Sequence, residues 1–125
     1  MGVFTQDTQS AAPGDPKSAL IANAASLSGV IDLGDQRLHR IHLPSAWTAA
    51  AITFQTSSDG VAFADLYDKD GEITLPSSVV AASRSVVVPQ EAFYGIRYLK
   101  IRSGTGASAV TQGADRSLAL VTVPR

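Results

Sequence analysis

The sequence predicts an all-β protein, an antiparallel, jelly-roll-like β-sandwich of about eight to ten short strands. Three observations carry this. Apolar and polar residues alternate over short runs, the period of a half-buried strand. Glycine and proline punctuate those runs at the ~8–12-residue spacing of small sandwiches. Helical periodicity is almost absent. The chain has 125 residues, enough for one domain and one core. Its hydrophobic fraction is 45% but its aromatic fraction only 6%, so the apolar content is mostly aliphatic, which suits a thin core.

The clearest element is a hairpin. Ile52 and Phe54 alternate with Thr53 and Gln55, Ser57-Ser58-Asp59-Gly60 forms a turn, and Val61 to Tyr67 resumes an extended pattern. Upstream, Met1–Pro16 is small and polar and ends in Pro13-Gly14-Asp15-Pro16, which denies regular pairing. It reads as an N-terminal extension to a sandwich domain spanning 17–125. It is either a tail without structure or an arm laid on a neighbouring subunit, with Val3 and Phe4 as its bulky anchors.

Lys17–Asn23 and Val30–Leu33 are the first two strands, the second stopped by Gly34-Asp35. Arg37–Leu43 is the third, stopped by Pro44. Here Ile41 and Leu43 share a face while Leu38 falls on the other, a mismatch that a bulge or a late strand start would resolve. Trp47, the single tryptophan, reads as a lid on the sandwich edge with its N–H wet or bonded to a carbonyl. A sugar-stacking role is the sharper alternative.

After the hairpin, Ile73–Pro76 is a short strand, Ser77–Ser83 a small-residue loop and Arg84–Val88 a further strand ended by Pro89. Gln90–Tyr94 forms one helical turn, and Gly95–Ser103 is a strand. Leu99 and Ile101 face one way, while Tyr98, Lys100 and Arg102 face the other. That second face is solvated or an interface, and Tyr with Arg is a composition interfaces favour. Gly104–Ala109 reads as a flexible connection, and Arg116–Val123 closes the sandwich. The expected core is Ile31, Leu33, Ile41, Leu43, Ile52, Phe54, Leu99, Ile101, Leu118 and Leu120.

Several function classes are disfavoured. Ten basic and eleven acidic residues give a net charge of −1, without the basic footprint of nucleic-acid binding. There is no cysteine, hence no disulfide or thiol chemistry. No apolar run reaches the ~20 residues of a membrane span, and a secretory signal is not expected. His39 and His42, three apart, fall on opposite faces of a regular strand, the wrong arrangement for one metal unless a bulge intervenes. Asp68-Lys69-Asp70-Gly71-Glu72 has the opening of a calcium loop without its remaining ligands, and reads as an Asp-Gly turn. No serine sits in a G-x-S-x-G elbow, and no nucleophile–base–orienter set can be named. The expectation is a non-enzyme with no cofactor and no metal.

Ala22–Gly34, Leu43–Ala50, the hairpin with Asp59-Gly60, and Tyr98–Gly104 together carry a resemblance. In this order they resemble a group of small structural proteins encoded among the virion genes of tailed bacteriophages, prophages and phage-like gene transfer agents. The resemblance spans roughly Leu20 to Val123 and rests on packing and turn motifs. It implies a β-sandwich accessory component of the particle surface: a head fibre, a spike or a capsid decoration protein. Such a protein would be made in the bacterial cytoplasm, attached to capsid or spike-base proteins, and homo-oligomeric. Met1–Pro16 falls outside the match, where an attachment arm would be particle-specific. The second reading is a carbohydrate-binding module contacting host-surface glycans, for which Trp47, Tyr67, Tyr94 and Tyr98 are the available aromatics. Arg97–Ile101 is also faintly similar to the penultimate strands of discoidin-type sandwiches.

Overall fold

The computed structural model describes residues 16–125. Val3 and Phe4 lie outside them, as does all of the N-terminal extension except Pro16. The described chain holds ten strands and one helical turn. In order they are β1 (Lys17–Ile21), β2 (Ile31–Asp32), β3 (Gln36–His42), β4 (Ile52–Ser57), β5 (Ala64–Asp65), β6 (Tyr67–Asp68), β7 (Gly71–Glu72), β8 (Ser85–Val87), α1 (Gln90–Phe93), β9 (Tyr98–Ser103) and β10 (Arg116–Pro124). Sheet 1 has the order β2-β9-β4-β5 and sheet 2 the order β1-β10-β3-β8, every pairing antiparallel. The hairpin β6–β7 stands apart as a two-stranded ribbon.

The two sheets bury one apolar layer. Sheet 1 supplies Ile31, Ile52, Phe54, Leu99 and Ile101, and sheet 2 supplies Ile21, Leu38, Ile41, Leu118 and Leu120. All ten residues expected in the core are there, Leu33 and Leu43 included. Alternation explains this, because period-2 patterning sends every second side chain inward. Phe93, from α1, is also fully buried and meets Phe54 edge-to-face at 4.8 Å between centroids.

Leu38 is buried beside Ile41 because β3 is bulged. Val121 pairs with Arg40 and Thr122 with Leu38, so His39 is the extra residue. The bulge shifts the phase of the strand by one residue and returns Leu38 to the core face.

Some boundaries differ from the sequence reading. Val61–Phe63 is not strand. The β4–β5 pairing runs only through Gln55↔Asp65 and Thr56↔Ala64, so the connection is a wide loop rather than a tight turn. Ile73–Pro76 reduces to an isolated bridge, Ile52↔Leu75, closed by two backbone hydrogen bonds of 3.0 and 2.8 Å. The connection 104–109 is pinned, not free. Gly104 N donates to Ala51 O at 2.7 Å, Val110 N to Ser103 O at 2.9 Å, and Thr105 N to Ser108 O at 3.0 Å.

Candidate functional site

The outer face of sheet 1 is where the sequence places an interface, and the register defines it. Tyr98 stands between Asp32 and Ser57, Lys100 beside Gln55, and Arg102 beside Thr53. This face is roofed by the chain's own 58–72 segment. Gly60 sits directly over the Tyr98 ring: a Cβ there would lie 3.3 Å from Cε1. Its φ of +81° is also one that glycine adopts readily. The Phe63 ring lies 4.5 Å from Lys100 Nζ, a cation–π contact.

The turn that makes this roof is built by Asp59. Its Oδ1 accepts the backbone N–H of Val61 at 2.8 Å and of Ala62 at 3.0 Å, and the Ser57 hydroxyl at 2.8 Å. Those three donors, the two backbone amides first, hold its carboxyl down to about 2. Across the face, Arg97 grips Asp32 through Nε at 2.9 Å and Nη2 at 3.1 Å. The guanidinium and then the Gly34 N–H lower Asp32 to about 2 as well.

Arg102 departs most from expectation. It is 7% exposed, so it belongs to no open interface. Its Nη2 donates to Asp65 at 2.9 Å and to Glu72 at 3.0 Å, and its Nε to Thr53 Oγ1 at 3.0 Å. Thr53 Oγ1 in turn donates to Gly104 O at 2.7 Å, and Glu72 accepts the Gly106 N–H at 3.0 Å. One guanidinium thereby ties β4, β5, β7, β9 and the 104–109 loop together. A buried arginine persists only when its donors meet acceptors, and here its fork does. The Arg102 hydrogen bond, then that of Gln55, lowers the Asp65 pKa. Tyr98 and Lys100 remain half-buried beside it.

A second polar node went unnoticed in the sequence. Gln112 is fully buried and saturated. Its Nε2 donates to Thr48 O at 3.0 Å and Ser103 Oγ at 2.7 Å, while its Oε1 accepts Thr48 N–H at 2.9 Å and Arg116 Nε at 3.0 Å. Nothing in Thr111-Gln112-Gly113 distinguishes it from a surface loop. Its partners are two near neighbours, Ser103 and Arg116, and the distant Thr48, which only the folded chain brings to it.

The remaining candidates stay apart. Trp47 is half-buried, packs against the core, and donates its indole N–H to Ala50 O at 3.3 Å, the lid arrangement. Asp68 and Asp70 belong to the β6–β7 turn, where Asp68 Oδ1 accepts Asp70 N–H at 2.7 Å and Lys69 pairs with Asp70 on the surface. A cleft of about 730 Å³ opens between that turn and α1, lined by Asp68, Asp70, Ile73, Gln90 and Glu91 among others. Among the described residues no three His, Asp or Glu side chains are grouped as metal ligands. His42 Nε2 lies 3.4 Å from Ser85 Oγ, and His39 Nδ1 lies 3.4 Å from Arg40 Nη1. Among the described residues neither imidazole is hydrogen-bonded to a carboxylate. No helix of the described chain is long and apolar enough to cross a membrane.

The chain matches no family model and no curated protein. Its fold is similar to that in the crystal structure of the SPBc2 prophage-derived protein YomS, with a TM-score of 0.51 and 15% identity, over 90% of this chain and 95% of that one.

Proposed function

We propose that this chain is a non-enzymatic structural subunit of a phage or phage-like particle, a head fibre, spike or capsid decoration protein attached to other virion proteins. The observation that carries the reading is the fold likeness to a prophage-derived protein over nearly the whole of both chains. The family-like motifs from Ala22 to Gly104 support it. So does the way the buried polar groups are used: Arg102, Thr53, Glu72 and Gln112 spend their hydrogen bonds on the sandwich itself. The Trp47 indole is committed to the core edge, which leaves the glycan reading with Tyr67 and Tyr94 as its exposed aromatics, the second with the Arg37 guanidinium 5.1 Å from its ring centroid.

The test is the composition of purified particles. Mass spectrometry should find the protein at a stoichiometric copy number. Deleting residues 2 to 16 should leave the melting temperature almost unchanged and abolish incorporation. Absence of the intact protein from particles would sink the reading. Full incorporation of the truncated form would move attachment onto the sandwich.

A further inference from the structure

The chain contains two Asp-Gly steps, Asp59-Gly60 and Asp70-Gly71, and no Asn-Gly step. Such steps carry a chemistry of their own. The glycine amide nitrogen attacks the aspartate side-chain carboxyl, because no side chain on the following residue obstructs it. A bond forms between that nitrogen and Cγ, the OH of the acid leaves as water with the amide proton, and a cyclic succinimide results. Water then adds to the main-chain carbonyl of the aspartate and breaks its bond to nitrogen. The peptide now runs through the side chain, as isoaspartate. Nothing is oxidised or reduced, and the water lost is returned. The reaction needs a carboxyl that is free to turn and in its acid form, and a peptide with room to rotate.

Asp59-Gly60 is restrained on every count. Asp59 Oδ1 accepts the Val61 N–H at 2.8 Å, the Ala62 N–H at 3.0 Å and the Ser57 hydroxyl at 2.8 Å. The nucleophile is engaged too, the Gly60 N–H donating to Ser57 Oγ at 2.9 Å. A Cβ on Gly60 would stand 3.3 Å from the Tyr98 ring, so this peptide is packed in place. Held down to about 2 from an ordinary 3.8, the Asp59 carboxyl is in its acid form roughly fiftyfold less often at neutral pH than a free aspartate.

Asp70-Gly71 is built differently. The Asp70 side chain is 76% exposed. Among the described residues its carboxyl takes hydrogen bonds only from Lys69 Nζ, at 3.1 and 3.0 Å. Lys69 is itself 87% exposed, and so open a pair holds neither partner firmly. Around Gly71 there is open space: beyond its chain neighbours no heavy atom lies within 4 Å of where a Cβ would stand.

We propose that Asp70 is a site of spontaneous isoaspartate formation in the folded protein, with Asp59 as its protected counterpart. The consequence reaches the sandwich. Asp70 and Gly71 lead β6 into β7, and Glu72, the next residue, accepts Arg102 Nη2 at 3.0 Å and the Gly106 N–H at 3.0 Å. Isoaspartate adds a methylene to the backbone of this turn. That disturbs the Tyr67↔Glu72 and Asp68↔Gly71 register and draws Glu72 off the guanidinium. The modification thereby loosens the roof over sheet 1 and leaves the apolar core intact.

The test ages the full chain at neutral pH and body temperature, in buffer and in denaturing urea. Trypsin places the two steps on separate peptides, 41–69 and 70–84, and electron-transfer fragmentation distinguishes isoaspartate from aspartate in each. In buffer, isoaspartate should build up at least about tenfold faster at Asp70 than at Asp59, a lower bound on the difference in acid form alone. In urea the two rates should converge, since neither step is then held. The aged protein should melt a few degrees lower. Asp70→Glu, whose longer side chain closes the ring poorly, should keep its melting temperature through the same ageing. Equal rates at the two sites in buffer, a faster rate at Asp59, or no isoaspartate at Asp70 overturns the proposal. A melting temperature that falls equally in aged Asp70→Glu overturns the link to the roof.

Discussion

Replacing Arg102 by Ala tests the central claim about sheet 1, that one buried guanidinium fastens the roof to the sandwich. The side chain is 9% exposed, and its partners Glu72 and Asp65 are 13% and 34% exposed. Breaking a buried pair by removing one partner costs about 3–5 kcal/mol, because the remaining charge is left uncompensated. Asp65 is a third exposed and regains water, so its share falls toward the ~0–1 kcal/mol of a surface pair. Glu72 keeps the Gly106 N–H, and Thr53 keeps its bond to Gly104 O. The loss should therefore sit at the low end, about 3 kcal/mol, or about 12 °C in melting temperature for a domain of this size. Urea unfolding followed by Trp47 fluorescence and far-UV circular dichroism measures it. Hydrogen exchange should quicken first in 58–72. Arg102→Met combined with Asp65→Leu and Glu72→Leu should recover much of the loss, since no charge then remains buried. A loss below about 1 kcal/mol for Arg102→Ala would refute the reasoning, because it would place the guanidinium among ordinary surface groups.

Four further outcomes are expected. Phe54→Ala should cost about 3–5 kcal/mol in urea unfolding, since the ring is fully buried against Phe93, and a cost under about 1 kcal/mol would mean that the ring is not. Gly104→Ala should cost more than about 1 kcal/mol, because the backbone has φ +94° and a Cβ would lie 2.5 Å from Ser108 O; an unchanged melting curve would contradict that contact. Asp32 and Asp59 are depressed when folded, so their contribution is complete above the unfolded value near ~3.9 and drains away as pH falls toward about 2. Stability measured across that window should fall less steeply in Asp59→Asn than in the parent, and parallel curves would deny Asp59 its role. Millimolar calcium should leave the melting temperature unchanged; a rise of several degrees, abolished by Asp70→Ala, would make the β6–β7 turn a metal site.

The sandwich and its core were legible in the sequence for a local reason. Side-chain direction in a strand has period 2, so Ile52 and Phe54, or Leu99 and Ile101, reveal their buried face without knowledge of any partner. Leu38 broke that pattern, and the break itself pointed to the bulge found at His39. Alternation cannot say whether the opposite face meets water. Tyr98, Lys100 and Arg102 share a face by sequence, yet Arg102 is buried because Glu72 and Gly106, thirty residues upstream and four downstream, close over it. Gln112 is buried with its amide satisfied because Thr48, 64 residues upstream, closes on it beside the nearer Ser103 and Arg116. Val61–Phe63 read as strand from their extended pattern, but Asp59 accepts the Val61 and Ala62 amides on its carboxylate and turns the chain back over Tyr98. Patterning within a segment thus determined which residues face inward. Which polar residues are buried, and which outer face is covered, depended on contacts between segments far apart in the chain, and those exist only once the two sheets have packed.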